Sequence, residues 1–167
     1  MRIDANNQYG RRDISQLHNK KVKPGENTKD VVVDFFCNEM GLSIYHSDIS
    51  TCHRMNTPQG SEWNGGSPEY DPSSPPIYIK FISRDVRNYV MRNKFRLRHL
   101  KNSEGYKYFL HENLTPFRRS LFRYVKDTLS DFRYVWTKEG TIMVRRYSNS
   151  RAYKIYSYSD VDRILGE

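Results

Sequence analysis

The sequence predicts an α+β protein made of two small units, on three observations. Segments with the two-residue period of strands alternate with segments of helical period along the chain. A Gly/Pro-rich stretch, Asn56 to Pro76, interrupts them and holds five of the seven prolines. Past Thr115-Pro116 the order changes to one helix, three short strands in succession and a short helix. A chain of 167 residues has room for one ordinary domain or two small ones and can bury a core.

In order, Asp13 to His18 reads as a strand. Asn27 or Thr28 caps a helix with Val31, Val32, Phe35, Phe36 and Met40 at helical spacing, and Gly41 stands where a left-handed cap is expected. Asp30 and Asp34 lie in its N-terminal half, where the dipole favours them. Asp48 to Arg54 is a second strand. The stretch 56–76 cannot be a helix or a central strand, so it is expected to be a long flexible loop, mobile or functional. Ile77-Tyr78-Ile79-Lys80-Phe81 alternates, with Tyr78 and Lys80 facing away from the other three. Ser83 caps a helix to about Asn93, with Val86, Tyr89 and Val90 inward and Arg84, Arg87 and Arg92 outward. Tyr106 to His111 closes the first unit as a strand. Strand–helix–strand–loop–strand–helix–strand is the order of a split βαβ, ferredoxin-like fold of the RNA-recognition-motif (RRM) type, expected over 13–112.

The second unit, expected over 113–167, opens with a capping hydroxyl followed by proline at the first helical position. Its helix should run to about Ser130 and bury Phe117, Leu121, Val125 and Leu129. Arg133 to Thr137, Thr141 to Tyr147 and Arg151 to Ser157 form a meander. Ser159 should cap a final helix through Leu165.

Charge is unevenly placed. The net is +9, but residues 77–154 hold 19 Lys/Arg against 6 Asp/Glu, a net of +13, while both flanks are at −2. Such a segment suits docking of a polyanion better than a merely solvated surface. A membrane-surface patch fits less well, because the cations are interleaved with tyrosines on several elements. Aromatics make up 14% of the chain, with 13 tyrosines. On a strand, Tyr78 offers a ring to a base and Lys80 a charge to a phosphate, although Tyr78 reads equally as a half-exposed strand residue. Arg145 and Arg146 are consecutive on a strand, so at least one must leave the core side. Trp136, on the neighbouring strand, is expected in the core rather than as a stacking platform.

Other chemistries find little support. No run of 18 apolar residues exists to span a membrane, and no apolar segment follows Met1 as in a secretory signal. Two cysteines make no disulfide framework and point to a reducing, intracellular compartment, cytoplasmic or nuclear. Cys37 reads as a plain core cysteine. The five histidines are scattered, and none pairs with another at metal-ligand spacing. The phosphate-cradling and nucleophile motifs are missing, and the carboxylates of the cationic segment have no D-x-D or E-x-K spacing. A non-enzymatic protein without metal or cofactor is expected.

Six segments resemble a known family. Asn-Gln-Tyr-Gly-Arg-Arg-Asp at 7–13, Pro-Gly-Glu-Asn-Thr at 24–28, and Asp48-Ile49-Ser50 with Cys52-His53-Arg54 look like the RRM-type domain of the first open-reading-frame protein of LINE-type retrotransposons. Leu110 to Pro116, then Trp136 to Gly140 and Met143 to Arg146, look like its C-terminal domain and like that of the baculovirus few-polyhedra (FP) protein. The resemblance implies a single-strand-preferring RNA- or DNA-binding protein with chaperone activity, holding the strand between its two domains. Arg92-Asn93-Lys94 matches the family's basic stretch after the second helix, Arg11 and Arg12 its basic pair at the domain entrance, and Arg123 a basic position of the C-terminal helix. With the residues read from charge, the expected nucleic-acid contacts are Arg11, Arg12, Tyr78, Lys80, Arg92, Lys94, Arg96, Arg118, Arg119, Arg123, Arg145, Arg146 and Arg151. The family trimerises through a coiled coil, of which residues 1–12 would be the end, so a monomer is expected and self-association stays open. The alternative expectation is an interaction module of a viral or host assembly whose basic face meets an acidic protein.

Overall fold

The computed structural model describes residues 2–55 and 68–167, the side chain of Arg2 excepted. The part of the expected flexible loop at 56–67 lies outside the described residues. In chain order the elements are α1 (Arg2–Tyr9), β1 (Ile14–His18), α2 (Thr28–Asp34), β2 (Ile49–Arg54), β3 (Ile77–Phe81), α3 (Arg84–Arg92), β4 (Phe109–Glu112), α4 (Pro116–Thr128), β5 (Tyr134–Lys138), β6 (Thr141–Arg145), β7 (Tyr153–Ile155) and α5 (Tyr158–Leu165). The fold is α+β, with β1, β2 and β3 pairing antiparallel in one sheet and β5, β6 and β7 in another. Two compact units result: a central one, Asp13–His111, and a terminal one, Met1–Arg12 with Glu112–Glu167.

The central unit carries a sheet of strand order β2-β3-β1-β4, with β3 antiparallel to both β1 and β2. Strand alternation sends Leu17, Ile77, Ile79 and Phe81 to one face, where Val32, Phe35 and Phe36 from the first helical segment and Val90 from α3 cover them. Asn27 caps α2, its Oδ1 accepting the Asp30 N–H at 3.1 Å. The helix expected to reach Met40 changes at Phe35 into a π-helical turn, Phe35–Glu39. Phe35 and Met40 are five apart, and the wider turn brings them to one side, both buried. Gly41, at φ +71°, then reverses the chain. Arg87, expected outward, is 4% exposed. It stands three residues before Val90 and so belongs to the inward stripe, where its aliphatic stem packs.

Strand β4 begins at Phe109 rather than Tyr106, because Tyr106 is used in a turn: its carbonyl accepts the Asn102 N–H across Gly105, at φ +89°. Two polar locks close the unit. Arg54 donates from Nε to Glu26 at 2.8 Å and from its Nη atoms to the carbonyls of Lys20, Lys21 and Pro75. Asp71, 1% exposed, accepts from Lys21, Ser73, Ser74 and Asn102. Burial pushes the Asp71 carboxyl up, but the hydrogen bonds from Lys21, Ser73 and Ser74 outweigh it and hold it well below the ordinary carboxylate range. Residues 68–76 of the expected flexible loop are thus tied down, with Asp71 and Ser74 buried.

In the terminal unit α4 and α5 pack on one face of the sheet β5-β6-β7, enclosing Leu121, Val125, Leu129, Ile142, Val144, Ile155, Val161 and Ile164. Thr115 caps α4, its Oγ1 accepting the Arg118 N–H at 3.2 Å. Phe117, expected in the core, is 42% exposed and meets Tyr158 edge-on. It lies in the first turn of α4, ahead of the Leu121–Val125 stripe. The β5–β6 hairpin turns on Glu139 and Gly140, both at positive φ, as a two-residue turn with matching twist requires. The Glu112 carboxylate accepts both of their N–H groups, at 2.7 and 2.9 Å. The last helix is capped by Ser157, two residues before the predicted Ser159, because the Asp160 carboxylate accepts the N–H groups of Tyr156 and Ser157. α1 belongs to this unit as well: Asp4 pairs with Arg118 at 2.8 Å, and Gln8 donates to the Asn113 carbonyl and accepts from the Thr115 N–H.

Candidate functional site

Each sheet has a second face, turned away from its helices, and each of these faces carries a group of rings. In the central unit, register places Tyr78 beside Gln16 of β1 and His53 of β2, and Lys80 beside Ile14 and Thr51. The Tyr78 and His53 rings stack at 5.0 Å with 15° between planes. Lys80, Thr51 and His53 are exposed and Tyr78 is half-buried. Further along the same face, His18, Tyr70, Phe109 and His111 form a ring cluster, with centroids 5.0 Å apart for His18–Tyr70 and His18–His111 and 5.3 Å for Tyr70–Phe109. Tyr70 and His111 share a 2.9 Å hydrogen bond. Burial lowers the His18 pKa to about 4, so the imidazole is neutral near pH 7.

In the terminal unit, Val135 and Thr137 turn toward the helices and Tyr134, Trp136 and Lys138 away from them. Across the sheet Tyr134 faces Arg145, Trp136 faces Met143, and Met143 faces Lys154. The Arg145 guanidinium lies 5.0 Å from the Tyr134 ring centroid and 5.6 Å from that of Trp136. Its Nε is buried and has no hydrogen-bond partner among the described residues. Trp136 is therefore not in the core as expected: it lies half-buried on the outer face, because alternation ties it to Tyr134 and opposes it to Val135, which does pack inward.

The predicted cations fall in several places. Arg92 ends α3 and is exposed with Lys94 and Arg96, and Arg96 also donates to the Met40 carbonyl at 3.3 Å. Since α3 packs against the opposite face of the sheet, these three are not gathered with Tyr78 and Lys80. Arg119 and Arg123 are exposed on α4. Arg118 is engaged with Asp4 and donates to the Gly140 carbonyl at 2.7 Å. Arg11 donates to the Leu114 carbonyl at 3.5 Å, and Arg12 lies 3.8 Å from the Tyr9 ring centroid. Arg146, 4.9 Å from the Phe132 ring, pairs with Asp131 at 3.5 Å, and Arg151 lies 5.3 Å from Tyr153. Arg145 and Arg146 thus diverge. The sequence reading named Trp136 but expected it in the core, and it did not single out Tyr134, Met143 or Lys154; the alternation that found Tyr78 and Lys80 places all four on this face.

The terminal unit also holds a groove of about 680 Å³ with apolar walls of Ile3, Phe117, Leu121, Ile142 and Ile155. Among the described residues no group of three or more His, Cys, Asp or Glu could hold a metal ion, and no helix is long and apolar enough to cross a membrane.

Residues 115–165, from the cap of α4 to the end of α5, match the family model of baculovirus FP protein domain 2. No curated protein matches the chain.

Proposed function

We propose that the chain is a non-enzymatic protein that binds single-stranded RNA or DNA without strong sequence preference, a nucleic-acid chaperone of retrotransposon or viral origin. The observation that carries this reading is the outer face of the central sheet, where the stacked Tyr78–His53 pair stands beside the exposed Lys80. Rings stack on any base and cations meet the phosphates, so such a face holds a single strand with little regard to sequence. The element order and the strand order β2-β3-β1-β4 support a ferredoxin-like, RRM-type domain. The match of residues 115–165 supports the viral side of the resemblance.

The test is a salt titration of fluorescently labelled oligo(U) binding to the full chain. Neutralising about five phosphates gives a slope of log K against log salt of roughly −3.5 for a single strand. Lys80→Ala should make that slope shallower by about 0.7, and Tyr78→Ala should weaken binding at an unchanged slope. Absence of binding, or a flat response to salt, would sink the proposal. An acidic protein partner that stays bound when excess oligonucleotide is added at moderate salt would favour the interaction-module alternative.

A further inference from the structure

We infer that the outer face of β5–β7 is a second single-strand site, in which bases stack on Trp136 and Tyr134 while Arg145 and Lys154 take the phosphates. The inference rests on the proposed single-strand reading but uses a different unit and different residues. Tyr134 and Trp136 are two residues apart on one strand, so their rings project from the same face about 7 Å apart. Arg145 crosses from the neighbouring strand and lies against both rings. Two ring contacts hold the guanidinium in place, its Nε is buried without a hydrogen-bond partner among the described residues, and the flat fork presents paired Nη donors that suit a phosphate. A cation fixed before binding loses less freedom on meeting a phosphate than a free arginine does. Lys154 and Lys138 are exposed on the same face, and among the described residues none of the strand positions on that face is acidic: they are Tyr134, Trp136 and Lys138, then Thr141, Met143 and Arg145, then Lys154.

Ring area together with unopposed positive charge selects a ligand that is flat and anionic by turns. A single strand has that character; a duplex hides its bases, and an acidic peptide has charge without planar groups to stack.

The chain has two tryptophans, Trp63 and Trp136, so the full chain carrying Trp63→Phe reports on Trp136 alone by its emission. Oligo(U) should quench that emission with the same midpoint as the anisotropy of a labelled strand, whereas a duplex of equal length and poly-glutamate should leave it unchanged. Trp136→Ala should weaken binding about tenfold, as the loss of one stacked base implies, and Trp136→Phe should restore most of it. Lys154→Glu, an exposed change that leaves the fold intact, should weaken binding as well. Strand binding with unchanged Trp136 emission, or equal quenching by poly-glutamate, would overturn this site and leave the first proposal standing. No binding of any strand would overturn both.

Discussion

The two sheets place rings on the same kind of face and use them differently. In the central unit the rings satisfy one another: His18, Tyr70, Phe109 and His111 pack together, and Tyr70 bonds to His111. In the terminal unit they hold a cation. Residue supply explains the contrast. All five histidines lie within 13–111 and none in the terminal unit, whose sheet instead sets arginine and lysine opposite or beside aromatics. Rings among imidazoles close into a cluster in which burial keeps His18 neutral; the rings of the terminal sheet pack around a guanidinium instead. The units also differ in how they are tied. Both have an apolar core, but the central one adds the buried polar locks of Arg54 and Asp71, whereas the terminal one adds a few charge-assisted bonds at its edge.

The largest effect that separates the units should come from Arg54→Ala. It leaves the Glu26 carboxylate, only 9% exposed, and three carbonyls without their donor. Removing one partner of a buried ion pair costs about 3–5 kcal/mol. Hydrogen exchange on the full chain should show faster exchange in residues 13–111 and unchanged protection in α4 and β5–β7. Equal loss in both units would show that they unfold as one, and the contrast drawn above would lose its energetic content.

Acid gives the next effect. Folding favours neutral His18, whose pKa falls to about 4 from an ordinary 6.5. As pH drops the unfolded chain takes up this proton first, so the contribution of His18 is complete above pH 6.5 and is lost as pH falls toward 4. The amount is on the order of 3 kcal/mol. Asp71 adds nothing in that window, because its carboxyl stays ionised to below the ordinary range and its contribution is lost only at lower pH. Denaturant unfolding at pH 7 and pH 5 should show the central unit weakening and the terminal unit holding. His18→Phe should flatten the pH dependence; a slope that survives the substitution would assign it to another group.

Much of this was legible in advance. Alternation at Ile77–Phe81, the caps at Asn27, Ser83 and Thr115, and the meander after α4 all follow from local rules, and the structure has each of them. Structure and sequence part where a residue's local character and its position pull apart. The charge of Arg87 suits solvent, but its spacing from Val90 puts it on the inward stripe. Trp136 is large and apolar, but its alternation with Val135 puts it outside. Long-range pairings had no local signal at all. Nothing near Asp4 or Gln8 announces Thr115 and Arg118, more than a hundred residues away. The ring cluster likewise joins residues from separate parts of the chain, 18, 70, 109 and 111, and three histidines that look scattered in sequence share one sheet face.

That long-range tie of α1 provides the smallest and most local prediction. Thr115 Oγ1 donates to Asp4 Oδ1 at 2.5 Å while accepting the Arg118 N–H, and Arg118 Nε donates to Asp4 Oδ2. Burial pushes the Asp4 carboxyl up, but the bonds from Thr115 and Arg118 outweigh it, and the net shift is downward. The ionised form is therefore the one that holds α1, and its contribution is present above the ordinary carboxylate range and lost as pH falls below it. Asp4→Asn keeps the shape and removes the charge, at a cost of about 1 kcal/mol for a partly exposed pair. Thr115→Ala loses the helix cap as well and should cost somewhat more, about 1–2 kcal/mol. Because both changes meet in one network, the double variant should cost less than the two together. Strict additivity in hydrogen exchange at α1 and the first turn of α4 would mean that Asp4 and Thr115 act independently, with Asp4 holding α1 through Arg118.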